Sequence, residues 1–423
     1  MDQQMTSQAT QLVDRRREFH RYPEPSWCEY WTTARIVDHL EHIGVDEIHV
    51  GAEGMDPAAR MHLPPASERE QWRERARERG ADPATLDRMD DATGCVAVLD
   101  RGDGPHVGLR VDIDALPITE AADDEHAPAA NGFRSDNEGY MHACGHDGHA
   151  AIGLGVLAAI AASDFAGRLT VFFQPAEEVL GGGKPMAQSP HVEGIDALFA
   201  VHLGLGHGTG DVVAGVEKPL SVKELSATVT GDSAHAGRAP NEGANAIQGM
   251  AAAVQSLYAI PRHEEGLTRV NVGTIDAGDA INVVAADAQM DVEVRAETDA
   301  LAEYMYDEVD RRLQASAEMH DCQGEVELLS EAPRADSDPA LREHVAGIAT
   351  DVVGVDTTIP VADFGASEDA TYLMDAVSEA GGESSYLIVG TDHPSGHHTA
   401  GFDLDEESLS IAVDVLTRAI EEY

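Results

Sequence analysis

Three observations predict an α/β catalytic domain, a central mixed sheet flanked by helices, interrupted by a smaller ferredoxin-like α+β domain. Apolar strands and helices alternate from Cys95 to His202, which is the pattern of a sheet covered by helices. From Val222 the order becomes βαββαβ, the split-βαβ unit. Beyond residue 330 the first pattern returns and ends in an amphipathic helix. The smaller domain is therefore an insertion: 1–220 and 331–423 form the larger domain, 221–330 the inserted one.

The elements follow in order. The spacing predicts helices over Thr6–Phe19 and Tyr30–Ile43, with a Pro-marked turn at Tyr22–Pro25 between them and Gly44 ending the second. Residues 51–93 break the alternation. Within them Ser67–Arg79 reads as a charged helix with five of the 25 arginines and with Glu70/Arg73 and Glu74/Arg77 at i,i+3. It reads as a solvated helical insertion, with a lid or partner surface as the alternative. Strands are expected at Cys95–Asp100 and within His106–Pro117 (HVGLRVDIDALP), at Arg168–Phe173 and at Ala197–His202, with an apolar helix over His149–Ala162. The inserted domain reads as strand Glu224–Gly231, helix Gly243–Ile260, strands Thr268–Ile275 and Asp287–Ala296, helix Ala300–Met319 and strand Glu325–Leu329. In the last helix, Glu406–Glu421, Leu409, Ala412, Val413, Leu416 and Ile420 repeat at helical spacing.

Composition narrows the function. The 423 residues carry 28 Lys+Arg against 77 Asp+Glu, a formal charge of −49. No cationic excess exists to neutralise phosphates or to seek an anionic membrane, so nucleic-acid and membrane partners are excluded. Only three cations are lysine (Lys184, Lys218, Lys223). An acidic, lysine-poor surface suits solubility in concentrated salt, where repulsion is screened, so a halophilic enzyme is expected. The opening segment Met1–Arg17 lacks a signal peptide's apolar stretch, and the longest apolar run, Ala150–Ala162, is too short to span a bilayer. A cytoplasmic location is expected. Four scattered cysteines (Cys28, Cys95, Cys144, Cys322) make no disulfide framework.

Chemistry concentrates in five pieces. Met141–His149 (MHACGHDGH) packs three histidines, Cys144 and an aspartate into one short segment. Cys144 and His146 on a bent loop can face one borderline-soft divalent ion. Glu177 and Glu178 follow an apolar strand and can divide labour, one ligating and one taking a proton. His202 ends another strand, and His397-His398 stand near the C-terminus. Together these supply enough ligands for two metals sharing a bridge. Asp112, after a buried strand, is expected to accept the second N–H of a ligating histidine. In the inserted domain, His235 lies in a loop and Asn282 and Arg295 on the following strand pair, where an arginine can grip a substrate carboxylate.

RVDIDALP, MHACGHDGH, FQPAEE, AVH, the AHAG loop and the late histidine before Phe402-Asp403 run in one order along nearly the whole chain. They resemble the aminoacylase/carboxypeptidase-G superfamily of binuclear metallohydrolases, in its amidohydrolase subfamily of hippurate and indole-acetyl-amino-acid hydrolases. The opening RRREFHRYPEPSWCEYWTTARI, the 51–93 insertion and GASEDATYLM at 365–374 are most similar to the A-type polypeptides of aminobenzoyl-glutamate hydrolases. The resemblance implies two divalent metals, Mn2+ or Zn2+, held by Cys144 as bridge with His146, Glu178, His202 and His398. It implies Glu177 as general base and hydrolysis of N-acyl or N-aroyl amino acids, preferably aminobenzoyl-glutamate. It further implies that the inserted domain dimerises, as a homodimer or as a heteromer with a paralogous chain, and lends His235 to the partner's site. Asn282 and Arg295 would bind the substrate's carboxylate end. One departure is Ala285, where relatives carry proline after Asn-Val-Val.

The charge reading predicts that activity rises from dilute buffer to molar salt. Equal activity at both extremes would contradict it.

Overall fold

In this computed structural model, which describes residues 2–393 and 395–423, the apolar runs pair into one eight-stranded mixed sheet. Its order is Glu47–Val50, Cys95–Asp100, Arg168–Gln174, His106–Asp112, Ala197–Leu203, Glu383–Val389, Asp211–Val213 and Thr357–Ile359. Arg168–Gln174 runs antiparallel to Cys95–Asp100 but parallel to His106–Asp112. Ala197–Leu203 is parallel to both of its neighbours. Three parallel strands therefore end side by side at Asp112, Gln174 and Leu203, and the loops that follow leave from one edge of the sheet.

Alternate strand residues feed two apolar layers. Cys95, Ala97, Leu99, Val171 and Phe173 pack with helices Asp2–Arg21, Tyr30–Ile43, His146–Ala161 and Glu407–Glu421. Val96, Phe172 and Leu198 pack on the opposite face with Trp27, Met186, Leu373 and Met374. Helix His146–Ala161 is buried along most of its length, as its nearly uninterrupted apolar sequence requires. Helix Tyr30–Ile43 ends as expected, with Gly44 left-handed at φ 79° and its N–H bonded to the Leu40 carbonyl.

The 51–93 segment is not merely solvated. Its helix Ala66–Glu78 buries Trp72 and Ala76 in the main core, and Trp72 meets Tyr140 edge-on at 5.0 Å. A second helix, Pro83–Met89, buries Leu86 and Met89. Arg77 pairs with Glu74 as the spacing implied, whereas Arg73 turns to the Leu86 carbonyl and Asp87 at 3.0 and 3.2 Å.

The chain divides into two compact units. The larger comprises the residues up to Glu217 with Ala335–Phe364 and Glu368–Tyr423. The smaller is Lys218–Arg334 with Gly365–Ser367. Its antiparallel sheet has the order Thr268–Ala277, Asp287–Ala296, Ser221–Thr230, Gln323–Ala332, the ferredoxin-like arrangement. Helices Ala246–Tyr258 and Asp299–Glu318 supply Met250, Leu257, Val309 and Leu313 to cover Leu225, Met290 and Val292. Among the described residues no helix is long and apolar enough to cross a membrane.

The last helix seals the main core with side chains such as Leu416, which is fully buried. Leu416→Ala is expected to lower unfolding stability by about 2–5 kcal/mol, read by denaturant unfolding; a loss far below that range would mean the core is not packed as described.

Candidate metal centre

Gly145, left-handed at φ 91°, lets the chain turn between Cys144 and the helix that opens at His146. The turn leaves both side chains buried at one sheet edge. Cys144 Sγ lies 3.4 Å from His202 Nε2, and His202 ends the neighbouring strand. The ring orientations are set from behind. His202 Nδ1–H donates to the Leu203 carbonyl at 2.8 Å. His146 Nδ1–H donates to the Asp114 carbonyl at 3.0 Å, with Asp114 Oδ1 at 3.2 Å. Both rings therefore turn Nε2, the nitrogen free to ligate, toward the cluster. His146 Nε2 is buried without a hydrogen-bond partner.

Glu177 and Glu178 enter from the end of strand Arg168–Gln174, around Ala176 at φ 56°. Their backbone N–H groups donate to the two oxygens of Asp114, each at 3.1 Å. Ser26 Oγ–H completes the set at 2.7 Å. One buried carboxylate thus orients an imidazole and both glutamates. His398 Nε2 stands 3.5 Å from Glu178 Oε2 and is half exposed. Five groups of potential ligand atoms share members here: Cys144/His146/His202, Cys144/Glu178/His398, His146/Glu177/Glu178, Asp112/His146/His149 and Glu177/Glu368/Asp369.

The fourth group fails on hydrogen bonding. His149 Nδ1–H donates to Asp112 Oδ1 at 2.5 Å, and His149 Nε2 accepts the Leu203 N–H at 2.9 Å. No lone pair remains for an ion. This corrects the expected role of Asp112. The second N–H of His146 goes to Asp114, two residues past the strand end, whereas Asp112 holds His149. The other oxygen of Asp112 accepts from Arg110 at 2.6 Å, because residues i and i+2 share a strand face.

The electrostatics favour a cation. Burial pushes Glu178 up to about 8, against the pull of His146. Burial, then the charges of Glu368 and Glu178, raise Glu177 well above the usual carboxylate range. Burial and Glu178 raise the Cys144 thiol. Burial works to lower His146, but Asp112, Asp114 and Cys144 outweigh it. Crowded acids that raise one another, beside a thiol and two imidazoles that present Nε2, form a donor set that fits borderline-soft divalent cations.

Beneath the glutamates lies a network that the sequence patterns did not reveal. Fully buried Arg110 donates to Gln174, Asp112, Glu368 and Asp369 at 2.6–3.1 Å. Tyr386 O–H donates to Glu368 at 2.8 Å. An arginine within an apolar strand motif was the available signal.

The remaining expected residues lie in the smaller unit. His235 is exposed, pairs with Val283 across a short ladder, and accepts the Gly237 N–H on Nδ1 at 3.2 Å. Asn282 is exposed. Arg295 is not free: Glu293 accepts from Nε and Nη2 at 2.8 Å each, and these bonds raise its pKa.

The family described as Peptidase family M20/M25/M40 matches residues 108–422. The chain belongs to this family. A homolog of one subunit of p-aminobenzoyl-glutamate hydrolase, from Haemophilus influenzae, is 38% identical over 99% of both chains. An indole-3-acetyl-aspartic acid hydrolase from Enterobacter agglomerans is 37% identical over 96% of this chain and 94% of its own. The crystal structure of an aminobenzoyl-glutamate utilization protein from Klebsiella pneumoniae superposes with TM-score 0.85 at 31% identity, covering 100% of this chain and 98% of that one. The family also includes a Bacillus subtilis protein described as a dinuclear metal binding peptidase, similar in fold at TM-score 0.68 and 23% identity over 99% and 98%. With such relatives along its whole length, the chain is a metal-dependent amidohydrolase.

Asp114→Asn would turn an amide N–H toward donors that now meet a carboxylate oxygen. Divalent-metal affinity is expected to fall about 10–100-fold, measured by metal titration. Undiminished affinity would show that Asp114 does not orient the ligands.

Proposed function

We propose that the chain hydrolyses the amide bond of N-aroyl amino acids whose amine half is acidic, with aminobenzoyl-glutamate preferred. The observation that carries this reading is Glu177, buried next to the Cys144–His146–Glu178–His202–His398 cluster. Two relatives support the substrate class. One is named for p-aminobenzoyl-glutamate and the other for indole-3-acetyl-aspartic acid. Both names join an aromatic acyl group to a dicarboxylic amino acid.

Cys144, His146, Glu178, His202 and His398 would hold two divalent ions, Mn2+ or Zn2+. When bound, such ions polarise an amide carbonyl and acidify water. Glu177 takes the water proton and passes it to the departing amine nitrogen. Asp114 keeps Glu177 and Glu178 in register through their backbone N–H groups. Asp112, through His149, fixes the strand end at Leu203. His235, with Nδ1 occupied as an acceptor, carries its proton on Nε2 and would donate it to the developing oxyanion in a partner's site. Asn282 and Arg295 would bind the substrate carboxylates, Arg295 after exchanging Glu293 for substrate. The smaller unit would form a homodimer, in a cytoplasmic and halophilic setting.

A second reading has one observation in its favour. An Escherichia coli relative is named as one lettered subunit of a p-aminobenzoyl-glutamate hydrolase, and is 38% identical over 99% of this chain and 97% of its own. Such a name invites a heteromer with a paralogous chain. Purified chain plus Mn(II) separates the two: turnover without a partner supports the first reading, and turnover only on adding one supports the second.

Glu177→Ala is expected to lower kcat by about 100–10,000-fold with metal content unchanged; retained turnover would sink the assignment of the base. Across a substrate panel, glutamyl and aspartyl amides should exceed monoanionic hippurate-like amides in kcat/KM. The reverse order would overturn the acidic-substrate reading in favour of hippurate or other N-acyl amino acids.

A further inference from the structure

The 51–93 insertion holds none of the reacting groups, yet it meets the glutamate loop at one crowded point. Trp27 is fully buried and left-handed at φ 63°, a conformation that bulky residues seldom adopt. Its indole N–H donates to the Met61 carbonyl of the insertion at 2.8 Å, and the Arg60 guanidinium covers its ring at 5.7 Å. The insertion is tied down nearby as well: Asp56 N–H bonds the Pro185 carbonyl at 2.8 Å, and Met55 packs in one apolar cluster with Trp27, Ala176 and Met186.

From the other side, the loop after Glu178 folds back on itself. Leu180 N–H reaches the Glu177 carbonyl at 2.7 Å, and Gly181 N–H reaches the Ala176 carbonyl at 2.8 Å. A Cβ on Gly181 would lie 2.8 Å from both the Met61 oxygen and Trp27 Nε1. Insertion, tryptophan and glutamate loop therefore touch where no methyl group fits. Nine non-glycine residues have positive φ among the described residues, and four of them (Trp27, His62, Ala176, Leu180) gather at this junction. Such conformations persist only where the surroundings over-determine them. Ser26, beside Trp27, donates to Asp114 at 2.7 Å, so the same segment also steadies the carboxylate that holds the glutamates.

We infer that the insertion is a brace that positions Glu177 and Glu178, acting through the contact of Trp27 and Met61 with Gly181. Trp27 and Gly181 are positioning residues. The inference rests on the roles proposed above for the two glutamates.

The test compares Gly181→Ala and Trp27→Phe with Glu74→Ala, a control on the exposed side of the insertion. Each variant is measured for kcat and KM on aminobenzoyl-glutamate, for Mn(II) affinity and for unfolding midpoint. The brace predicts about a 10–100-fold loss in kcat and in Mn(II) affinity for the first two, with KM little changed and the control like wild type. Wild-type kcat and Mn(II) affinity in both folded variants would overturn it. So would losses that match the fraction unfolded. If Gly181→Ala does not fold, Trp27→Phe decides, since it keeps an aromatic ring and removes only the indole's fused portion and its N–H. If wild type does not turn over this substrate, the proposed function fails, while the Mn(II) arm still decides the brace.

Discussion

The site depends first on the Asp114 carboxylate. It is fully buried and lies just beyond the end of a central strand. Four donors converge on its two oxygens: His146 Nδ1, the backbone N–H groups of Glu177 and Glu178, and Ser26 Oγ. A buried carboxylate is costly unless hydrogen-bonded, and here those bonds also do the orienting. The imidazole comes from the start of one helix, the glutamates from the end of another strand and the serine from the loop before the second helix. No two of these segments adjoin in sequence, so the carboxylate makes one site of them.

Charge is arranged around that anchor in two halves. On one side Arg110 balances Asp112, Glu368 and Asp369, although burial still pushes Asp369 up to about 7. On the other side Glu177, Glu178 and Cys144 are all raised, burial being the largest cause for each. A divalent cation relieves the second half as the arginine relieves the first. In a chain of net charge −49, the buried Arg110 guanidinium serves the first half of this site, and the second half is left with acids and thiol that a cation would relieve. An acidic substrate entering such a chain must be received by local positive charge, and salt that screens the wider field aids its approach.

Much of this was legible in the sequence because the informative residues sit in short local patterns. Cys144 and His146 share one short segment at a helix start, His202 and the glutamates stand at the ends of apolar strands, and the helical and βαββαβ periodicities placed the elements within a few residues. What was not legible depends on distance. Asp112 and Asp114 are both strand-end aspartates, and only the three-dimensional turn decides which of them meets His146. Gly365–Ser367 joins the smaller unit from a distant part of the chain. Strand Glu383–Val389 was not anticipated because its first half, Glu383–Ser385, is polar. The insertion looked solvated because its charges outnumber its apolar residues, and yet Trp72, Leu86 and Met89 suffice to bury one side of it.

The proposed function rests on this cluster holding two divalent ions. Electron paramagnetic resonance of the metal-free chain titrated with Mn(II) tests it most directly. The account predicts two ions bound per chain, with the exchange-coupled signal of a close pair at saturation. A single ion per chain, or two with the spectrum of isolated Mn(II), would contradict it.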